Sequence, residues 1–193
     1  MKKIIKTVLS LLCNGLKIIR FGSIRYPYYI GKGLQVHSPK NIFLGKNVTI
    51  GRYSRLSTYK GGKNQSLIKI GDDCYIGQMF SALSGGGEDL IIKKNTLIAS
   101  YVTICSENHS IDPECGKAYG AQALSGKRTT IGEYCWIGEK VIILPGVEIG
   151  DWCVIGAGAC VTSNIPSYSI AVGNPAKVIK TYSFEKHQWI KVD

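Results

Sequence analysis

Histidine and cysteine are among the residue types in this chain of 193 residues that could bind a metal, act as a nucleophile or accept a proton at neutral pH. The three histidines, His37, His109 and His187, are far apart and show no paired ligand spacing. Zinc sites favour closely spaced Cys or His pairs, so the sequence predicts no metal. The serine nucleophile motif Gly-x-Ser-x-Gly is also absent. A single imidazole, which titrates near pH ~6.5, could still act as a general base.

The cysteines are better explained as core residues than as a disulfide framework. There are seven of them, and an odd number cannot pair completely. Cys74, Cys135 and Cys153 each lie three residues before a Gly, at equivalent positions of a repeat. We therefore expect stacked, reduced thiols, which fits a cytoplasmic location.

The repeat that should position these residues has a period of six. From Leu44 onward an aliphatic anchor recurs every six positions, and of 15 anchors 14 are Ile, Leu or Val. The anchors are Leu44, Ile50, Leu56, Ile70, Ile76, Ala82, Ile92, Ile98, Ile104, Ile131, Ile137, Ile143, Ile149, Ile155 and Val161. This period fits neither an α-helix, with about 3.6 residues per turn, nor a long strand. It predicts an all-β fold, a parallel β-helix of triangular coils, and the hexapeptide pattern marks the left-handed kind.

The breaks in the repeat predict where its loops lie. Between successive coils the excess is 8, 4, 21 and 0 residues, and each insertion follows the third strand of a coil. All loops should therefore leave the prism at one edge. The longest falls within residues 106–130, and long loops in compact repeats are usually functional or disordered.

The chain divides into three parts: a basic amphipathic segment over residues 1–29, the β-helix over 30–172 and a short C-terminal tail over 173–193. In the first part a helix is predicted, with an apolar stripe through Ile5, Leu9, Leu12, Leu16 and Ile19. Such a helix could lie on an anionic membrane or pack on its own protein or a neighbouring subunit. No apolar run reaches the ~18–20 residues of a transmembrane helix.

The charge distribution is uneven along the chain. The formal net charge is +11, yet residues 1–71 contain 14 basic residues and no acidic one. The remaining 10 basic and 13 acidic residues nearly cancel. We expect the basic end to contact an anionic membrane or polymer. The positive charge is not interleaved with aromatic residues, which argues against nucleic-acid binding.

In its repeats and tail the sequence resembles the hexapeptide acyltransferases, above all the galactoside, maltose and nodulation-factor acetyltransferases and the colanic-acid and other polysaccharide O-acetyltransferases. The matching motifs are Ile131-Gly132 to Ile137-Gly138, Pro145-Gly146, Ile155-Gly156-Ala157-Gly158, Val161-Thr162 and Gly173-Asn174-Pro175-Ala176. The resemblance implies a homotrimer that binds acetyl-CoA in clefts between adjacent subunits and transfers the acetyl group to an acceptor.

The resemblance also implies roles for individual residues. The family's catalytic histidine lies at the start of the long loop, where this chain has His109, so His109 is predicted to be the general base. Glu107 and Asp112 are candidates to orient its imidazole, although a backbone carbonyl could do so equally well. Asn108 is predicted to contact the acceptor.

The CoA contacts of the family fall on seven positions of this chain. They are Trp136, Glu139, Ala157, Thr162, Ser163, Lys177 and Lys180. At Lys177 and Lys180 the family often has Arg, and Lys lacks the planar fork that holds a phosphate with two bonds. We therefore expect looser phosphate contacts here.

These features predict an acetyl-CoA-dependent O-acetyltransferase that acts on a sugar hydroxyl in surface polysaccharide biosynthesis, such as capsule, O-antigen or exopolysaccharide. Its expected location is cytoplasmic, with peripheral contact at the inner face of the cytoplasmic membrane as an option. The alternatives are an amino-sugar nucleotide N-acetyltransferase, an antibiotic acetyltransferase and a β-helical scaffold without activity. The stretch Ser84–Asp89 does not match the sugar-binding residues of the galactoside group, so the acceptor stays open.

Overall fold

A computed structural model describes residues 2–14, 20–25, 28–61 and 64–192. Leu16 and Ile19 of the predicted apolar stripe lie outside these residues. The fold begins with helix α1 (Lys2–Asn14), and nearly all of the rest is a parallel β-solenoid built from short strands. Each coil contributes one strand to each of three sheets, here called A, B and C.

Six complete coils can be followed along the chain. The first coil consists of β1 (Ser23–Ile24), β2 (Tyr29–Ile30) and β3 (Gln35–His37), and the second of β4 (Ile42–Leu44), β5 (Thr49–Ile50) and β6 (Arg55–Thr58), which is followed by the hairpin β7 (Lys60–Gly61) and β8 (Asn64–Gln65). The third coil consists of β9 (Ile68–Ile70), β10 (Tyr75–Ile76) and β11 (Ser81–Ser84), and the fourth of β12 (Leu90–Ile92), β13 (Leu97–Ile98) and β14 (Thr103–Cys105), which is followed by β15 (Glu107–His109) and β16 (Leu124–Gly126). The fifth coil consists of β17 (Thr129–Ile131), β18 (Trp136–Ile137) and β19 (Ile142–Ile143), and the sixth of β20 (Glu148–Ile149), β21 (Val154–Ile155) and β22 (Cys160–Val161). Two short 3₁₀ turns lie at Pro39–Asn41 and Tyr119–Ala121.

The core is a stack of the predicted anchors. All 15 are buried, none with more than 3% of its surface exposed. In sheet B, for example, Ile76 pairs with Ile98, which pairs with Ile137 and then Ile155. Identical side chains thus lie one above the other in adjacent coils, and the parallel β-helix predicted from the six-residue period is confirmed.

The solenoid starts one coil earlier than the sequence repeat indicates. Ile24, Ile30 and Val36 keep the spacing of six, and Ile24 pairs with Leu44 one coil on. Ile30 is buried, whereas Ile24 and Val36 are partly buried, as expected for the outermost layer of a repeat. Only one of the three anchors is followed by Gly, which weakens the signal in the sequence.

The C-terminal part adds two antiparallel strands rather than an extended tail. Strand β23 (Ser169–Val172) is parallel to β21, and β24 (Lys177–Ser183) and β25 (Gln188–Lys191) then extend sheet B in antiparallel fashion. Aromatic residues line a cavity of about 430 Å³ against this hairpin; they are Trp152, Tyr168, Tyr182, Phe184 and Trp189.

The insertions leave the solenoid where the breaks in the repeat predict, at the edge between sheets C and A, here called the loop-bearing edge. The described residues of these insertions are 59–61 and 64–67 after β6, 85–89 after β11 and 106–128 after β14. Glycines allow these loops to stack: a Cβ on Gly61 would overlap the backbone of Gly86, and one on Gly86 would overlap that of Gly126. The loop after β14 is therefore supported by the two loops below it.

Candidate active site

His109 lies at the point where the solenoid gives way to its longest loop. After β14 the chain passes the fully buried Ser106 and forms β15, which ends at His109 and pairs in antiparallel fashion with β16. His109 lies opposite Leu124, and its side chain is exposed. The imidazole thus projects from a two-stranded ribbon at the loop-bearing edge, as the repeat phase predicted.

Buried hydroxyls fix the base of this ribbon. The Ser106 hydroxyl lies 3.2 Å from the Ser84 hydroxyl and donates to the carbonyl of Glu88 at 3.2 Å. The Thr129 hydroxyl donates to the carbonyl of Cys105 at 2.7 Å. The Glu88 carbonyl also accepts the Ser84 hydroxyl at 2.9 Å, so the buried polar groups at the start of the loop are hydrogen-bonded. The start and end of the loop are thereby tied to neighbouring coils.

Glu107 is the carboxylate nearest to His109 along the chain, and the two side chains interact electrostatically. It shares a face of β15 with His109, because side chains two residues apart in a strand point the same way. Its Oε2 is buried without a hydrogen-bond partner among the described residues, and a Cβ on Gly85 would overlap that oxygen. Burial raises the pKa of Glu107, while the charges of His109 and Arg55 act in the opposite direction.

Arg55 is a member of this cluster that the sequence analysis did not identify. Its Nη2 donates to the Tyr59 hydroxyl at 2.8 Å and its Nε donates to the Ser57 hydroxyl at 3.2 Å. His37 stacks on Tyr59 with the ring centroids 4.9 Å apart. Arg55 and Ser57 lie on β6 at the outer face of sheet C, two strands from β14, with Tyr59 directly after β6; His37 lies on β3, one strand further away. Arg55 and Ser57 flank the anchor Leu56, so the repeat predicts that both point outward. Nothing in the sequence, however, links these residues to His109.

The other two residues proposed near the base have different surroundings. The Asp112 carboxylate accepts the backbone N–H of Glu114 at 2.8 Å, and its main chain bonds the Gln122 amide at 3.1 and 3.0 Å. No hydrogen bond or ion pair joins Asp112 to His109 in the part of the chain that the structure describes. Asn108 is exposed on the opposite side of β15 from His109. Among the described residues Glu107 likewise forms no hydrogen bond or ion pair with His109, but unlike Asp112 it lies on the same strand face as the imidazole.

The residues expected to bind CoA lie at three places on one chain. Thr162 and Ser163 are exposed and follow β22 at the loop-bearing edge. Glu139 and Ala157 lie at the corner between sheets B and C, where the Gly158 N–H donates to the Glu139 carbonyl at 2.7 Å.

The remaining three belong to sheet B. Trp136 opens β18 with 54% of its surface exposed, while Lys177 and Lys180 lie on β24. In the described part of a single chain, sheet B and the loop-bearing edge are different faces of the prism. One chain alone therefore does not gather these seven residues and His109 into one cleft.

Three of the described thiols are buried in the core. Cys74, Cys135 and Cys153 donate to backbone carbonyls of the next coil at 3.1 Å each, and none forms a disulfide. Burial raises the pKa of Cys74 to about 11, so this thiol stays protonated at neutral pH. Within the described ranges, no group of three His, Cys, Asp or Glu side chains is arranged to hold a metal ion.

Comparisons with known proteins agree with this architecture. The sequence profile of the bacterial transferase hexapeptide family (six repeats) matches residues 128–163. A putative lipopolysaccharide biosynthesis O-acetyl transferase, WbbJ of Escherichia coli K12, is 33% identical over 174 residues, which cover 87% of this chain and 83% of the relative. The galactoside O-acetyltransferase of the same organism is 31% identical over 183 residues, covering 93% of this chain and 88% of that one.

Among solved structures, AntD, an N-acyltransferase from Bacillus cereus in complex with dTDP-4-amino-4,6-dideoxyglucose and coenzyme A, superimposes with a TM-score of 0.71. Its sequence is 24% identical, with 89% of each chain covered, so this likeness concerns the fold. The two curated relatives match over most of their own length and carry acetyltransferase activity in their names. The chain therefore belongs to the hexapeptide-repeat acetyltransferases and is an acyltransferase.

Proposed function

We propose that this protein transfers the acetyl group of acetyl-CoA to a hydroxyl of a saccharide, with the His109 imidazole as general base. The observation that carries the proposal is the exposed His109 at the end of β15, with the half-buried Glu107 carboxylate on the same face of the strand. The two curated relatives, both named as O-acetyltransferases, support the choice of reaction. Complexes of AntD with coenzyme A support the donor.

The reaction needs only a base and two bound substrates. His109 takes the proton of the acceptor hydroxyl as its oxygen attacks the thioester carbonyl carbon. The tetrahedral intermediate then collapses, the carbon–sulfur bond breaks, and the imidazolium returns the proton to the departing CoA thiolate. The products are the O-acetyl ester and free CoA. Glu107 beside the imidazole would stabilise the imidazolium that forms between the two steps.

The acceptor is proposed to lie on the outer face of sheet C, next to His109. Arg55 and Tyr59 present donors and an aromatic ring at this place. Sugars are commonly held by such a mixture, since hydroxyls need hydrogen bonds and their C–H faces pack on aromatic rings. A surface polysaccharide or its precursor is the proposed acceptor, and the name of WbbJ supports this class.

We further propose that the enzyme works as a homotrimer. The CoA residues Trp136, Lys177 and Lys180 lie on sheet B, whereas His109 lies at the loop-bearing edge. If sheet B of one subunit faces the loop-bearing edge of the next, these groups meet in one cleft, and a threefold ring repeats the contact three times. The free, buried thiols and the acetyl-CoA donor support a cytoplasmic location.

The test is acetyl-CoA turnover with a panel of saccharides and amino-sugar nucleotides. His109→Ala should lower kcat by about 10²- to 10⁴-fold, because the acceptor proton then has no positioned base. His187→Ala, at an exposed histidine between β24 and β25, should keep the full rate. Full activity of His109→Ala would overturn the assignment of the base, and turnover only with amino sugars would replace the hydroxyl acceptor.

A further inference from the structure

An amphipathic helix that packs on a protein core usually turns its apolar face inward, but helix α1 turns its apolar face outward. Among the side chains of α1 that the structure describes, those buried against the solenoid are polar: Thr7 and Asn14 are only 9% and 8% exposed. The Thr7 hydroxyl donates to the carbonyl of Tyr28 at 3.1 Å, and the Asn14 amide donates to that of Ile30 at 3.0 Å. Six aliphatic side chains are exposed instead; this apolar face consists of Ile4, Ile5, Val8, Leu9, Leu11 and Leu12.

The open edge of sheet B explains this orientation. Strand β2 is the first strand of the sheet, and the N–H groups of Tyr29 and Gly31 bond to the next coil, so the carbonyls of Tyr28 and Ile30 point away from it. An uncovered edge of this kind invites pairing with another chain, and repeat proteins cover it with a cap. The cap needs donors, and α1 supplies them from its polar side. Its apolar face is consequently left pointing outward.

The charge around α1 indicates what covers that face. Residues 1–71 contain 14 basic residues and no acidic one. Of these, Arg20, Arg25, Lys32 and Lys40 are exposed and form no ion pair with another described residue. A second copy stacked end to end on this face would bring the same positive charge and be repelled. An anionic lipid surface complements both the charge and the exposed aliphatic side chains.

We infer that α1 is a membrane-docking helix, which inserts its apolar face into the interface of an anionic phospholipid bilayer while Thr7 and Asn14 hold it on the first coil. The helix has 13 residues, and the structure describes no helix long and apolar enough to cross a membrane. Docking of this kind is interfacial and reversible. It goes beyond acetyl transfer, which neither requires nor excludes it.

If the proposed function also holds, docking would place the enzyme near a lipid-linked acceptor. In sheet C, β14 is three strands from β3, or about 14 Å along the axis at the usual spacing between strands. His109 follows soon after the end of β14 and is thus about three coils from the docked end. A saccharide of a few sugar units attached to a lipid headgroup could span this distance.

The experiment is co-sedimentation of the full chain with phosphatidylcholine vesicles that contain or lack phosphatidylglycerol. The wild type should sediment with the anionic vesicles and much less with the neutral ones. Leu12→Glu, at a side chain that is 76% exposed, should weaken binding at least about tenfold, because a carboxylate replaces apolar area that the bilayer would bury. Ile111→Glu is the matched control, since Ile111 is 80% exposed but lies in the long loop.

Acetyl-CoA turnover with a free saccharide, measured without vesicles, should be the same for Leu12→Glu and the wild type. Failure of docking and failure of the proposed function are thereby separated. Absence of wild-type binding to anionic vesicles, or equal binding by Leu12→Glu, would overturn the inference. A change in oligomeric mass in Leu12→Glu would also overturn it and assign the apolar face to a contact between subunits.

Discussion

At the scale of single residues, Glu107 connects the chemistry of the site to the stability of the fold. Its carboxylate fills the space left by Gly85, carries a buried oxygen without a described partner and faces the charges of His109 and Arg55. Burial opposes ionisation, whereas the two basic neighbours favour it. A carboxylate in such a position is useful beside an imidazole that becomes cationic during catalysis, because the attraction is then strongest in the transition state.

Glu107→Gln should separate these two effects. The raised pKa means that the folded state binds the Glu107 proton more tightly than the unfolded state. The stability that the protonated Glu107 carboxyl adds is therefore fully present at a pH below its pKa in the unfolded state. It is lost as the pH rises through the higher pKa that the group has in the folded state. The amide introduced by this substitution cannot ionise, so the Tm of Glu107→Gln relative to wild type should increase between pH 4 and pH 7, while kcat falls at neutral pH.

Glu185→Gln, at an exposed carboxylate in the turn between β24 and β25, is the control and should change neither quantity. If Glu107→Gln kept the wild-type kcat, Glu107 would not orient or stabilise the base. A Tm difference that is constant with pH would show that the Glu107 carboxyl does not titrate differently in the folded state.

At the scale of elements, the loop that carries His109 is positioned by the loops beneath it. Gly61, Gly86 and Gly126 bring three backbones close enough that no side chain fits between them. Gly86 also has a φ of +64°, a conformation that residues with a side chain rarely adopt. Short strands alone would fix the start of β15, but its outer end, where His109 lies, depends on this stack.

Gly86→Ala should therefore disturb the site from a distance. The strained φ and the overlap with Gly126 should lower the free energy of unfolding by about 1–3 kcal/mol, and His109 should shift with β16. Calorimetry and acetyl-CoA turnover measure the two consequences. Gly120→Ala is the matched control: it is also a loop glycine, but a Cβ there would meet nothing within 4 Å. Equal Tm values and rates for both variants would contradict a supporting role of the stack.

At the scale of the whole molecule, charge is distributed unevenly along the axis of the solenoid. Arg20, Arg25 and Lys32 around the first coil form no ion pair with another described residue, whereas ion pairs appear from Lys69 onward, among them Lys69–Asp89 at 3.2 Å. The coils that provide His109 and the proposed CoA residues have nearly balanced charge. An excess of positive charge at one end would orient the whole enzyme on an anionic surface, and a trimer would multiply that effect by three.

The proposed trimer with shared clefts predicts complementation between inactive variants. His109→Ala removes the base, and Trp136→Ala removes the exposed ring expected at the CoA cleft on sheet B. If each cleft combines the loop-bearing edge of one subunit with sheet B of the next, random mixed trimers should recover about a quarter of the wild-type sites. Turnover by the co-expressed, co-purified variants measures this recovery.

The control mixes His109→Ala with His109→Ala carrying a second purification tag, which should stay inactive. No recovery in the first mixture, with trimers confirmed by mass, would place both residues of a cleft on one subunit. A monomeric mass would contradict the trimer itself.

The repeat could be predicted from the amino-acid pattern alone, because each buried anchor faces an identical or similar neighbour one coil away and a six-residue period admits few other folds. It predicted the stacked anchors from Leu44 to Val161, the common edge of the loops and the position of His109 at the start of the longest one. These are periodic or local features, and they can be counted along the chain.

Contacts between residues that have no regular separation along the chain are visible only in the three-dimensional structure. Arg55 reaches the surroundings of Glu107 across two strands of sheet C, and Asp112, close to His109 in sequence, turns its carboxylate toward Glu114 instead. The hairpin of β24 and β25 and the outward turn of the apolar face of α1 likewise depend on the free edges of sheet B. Periodicity specifies which residues face inward, but side chains on the outside and at the ends of a solenoid are placed by neighbours distant in sequence.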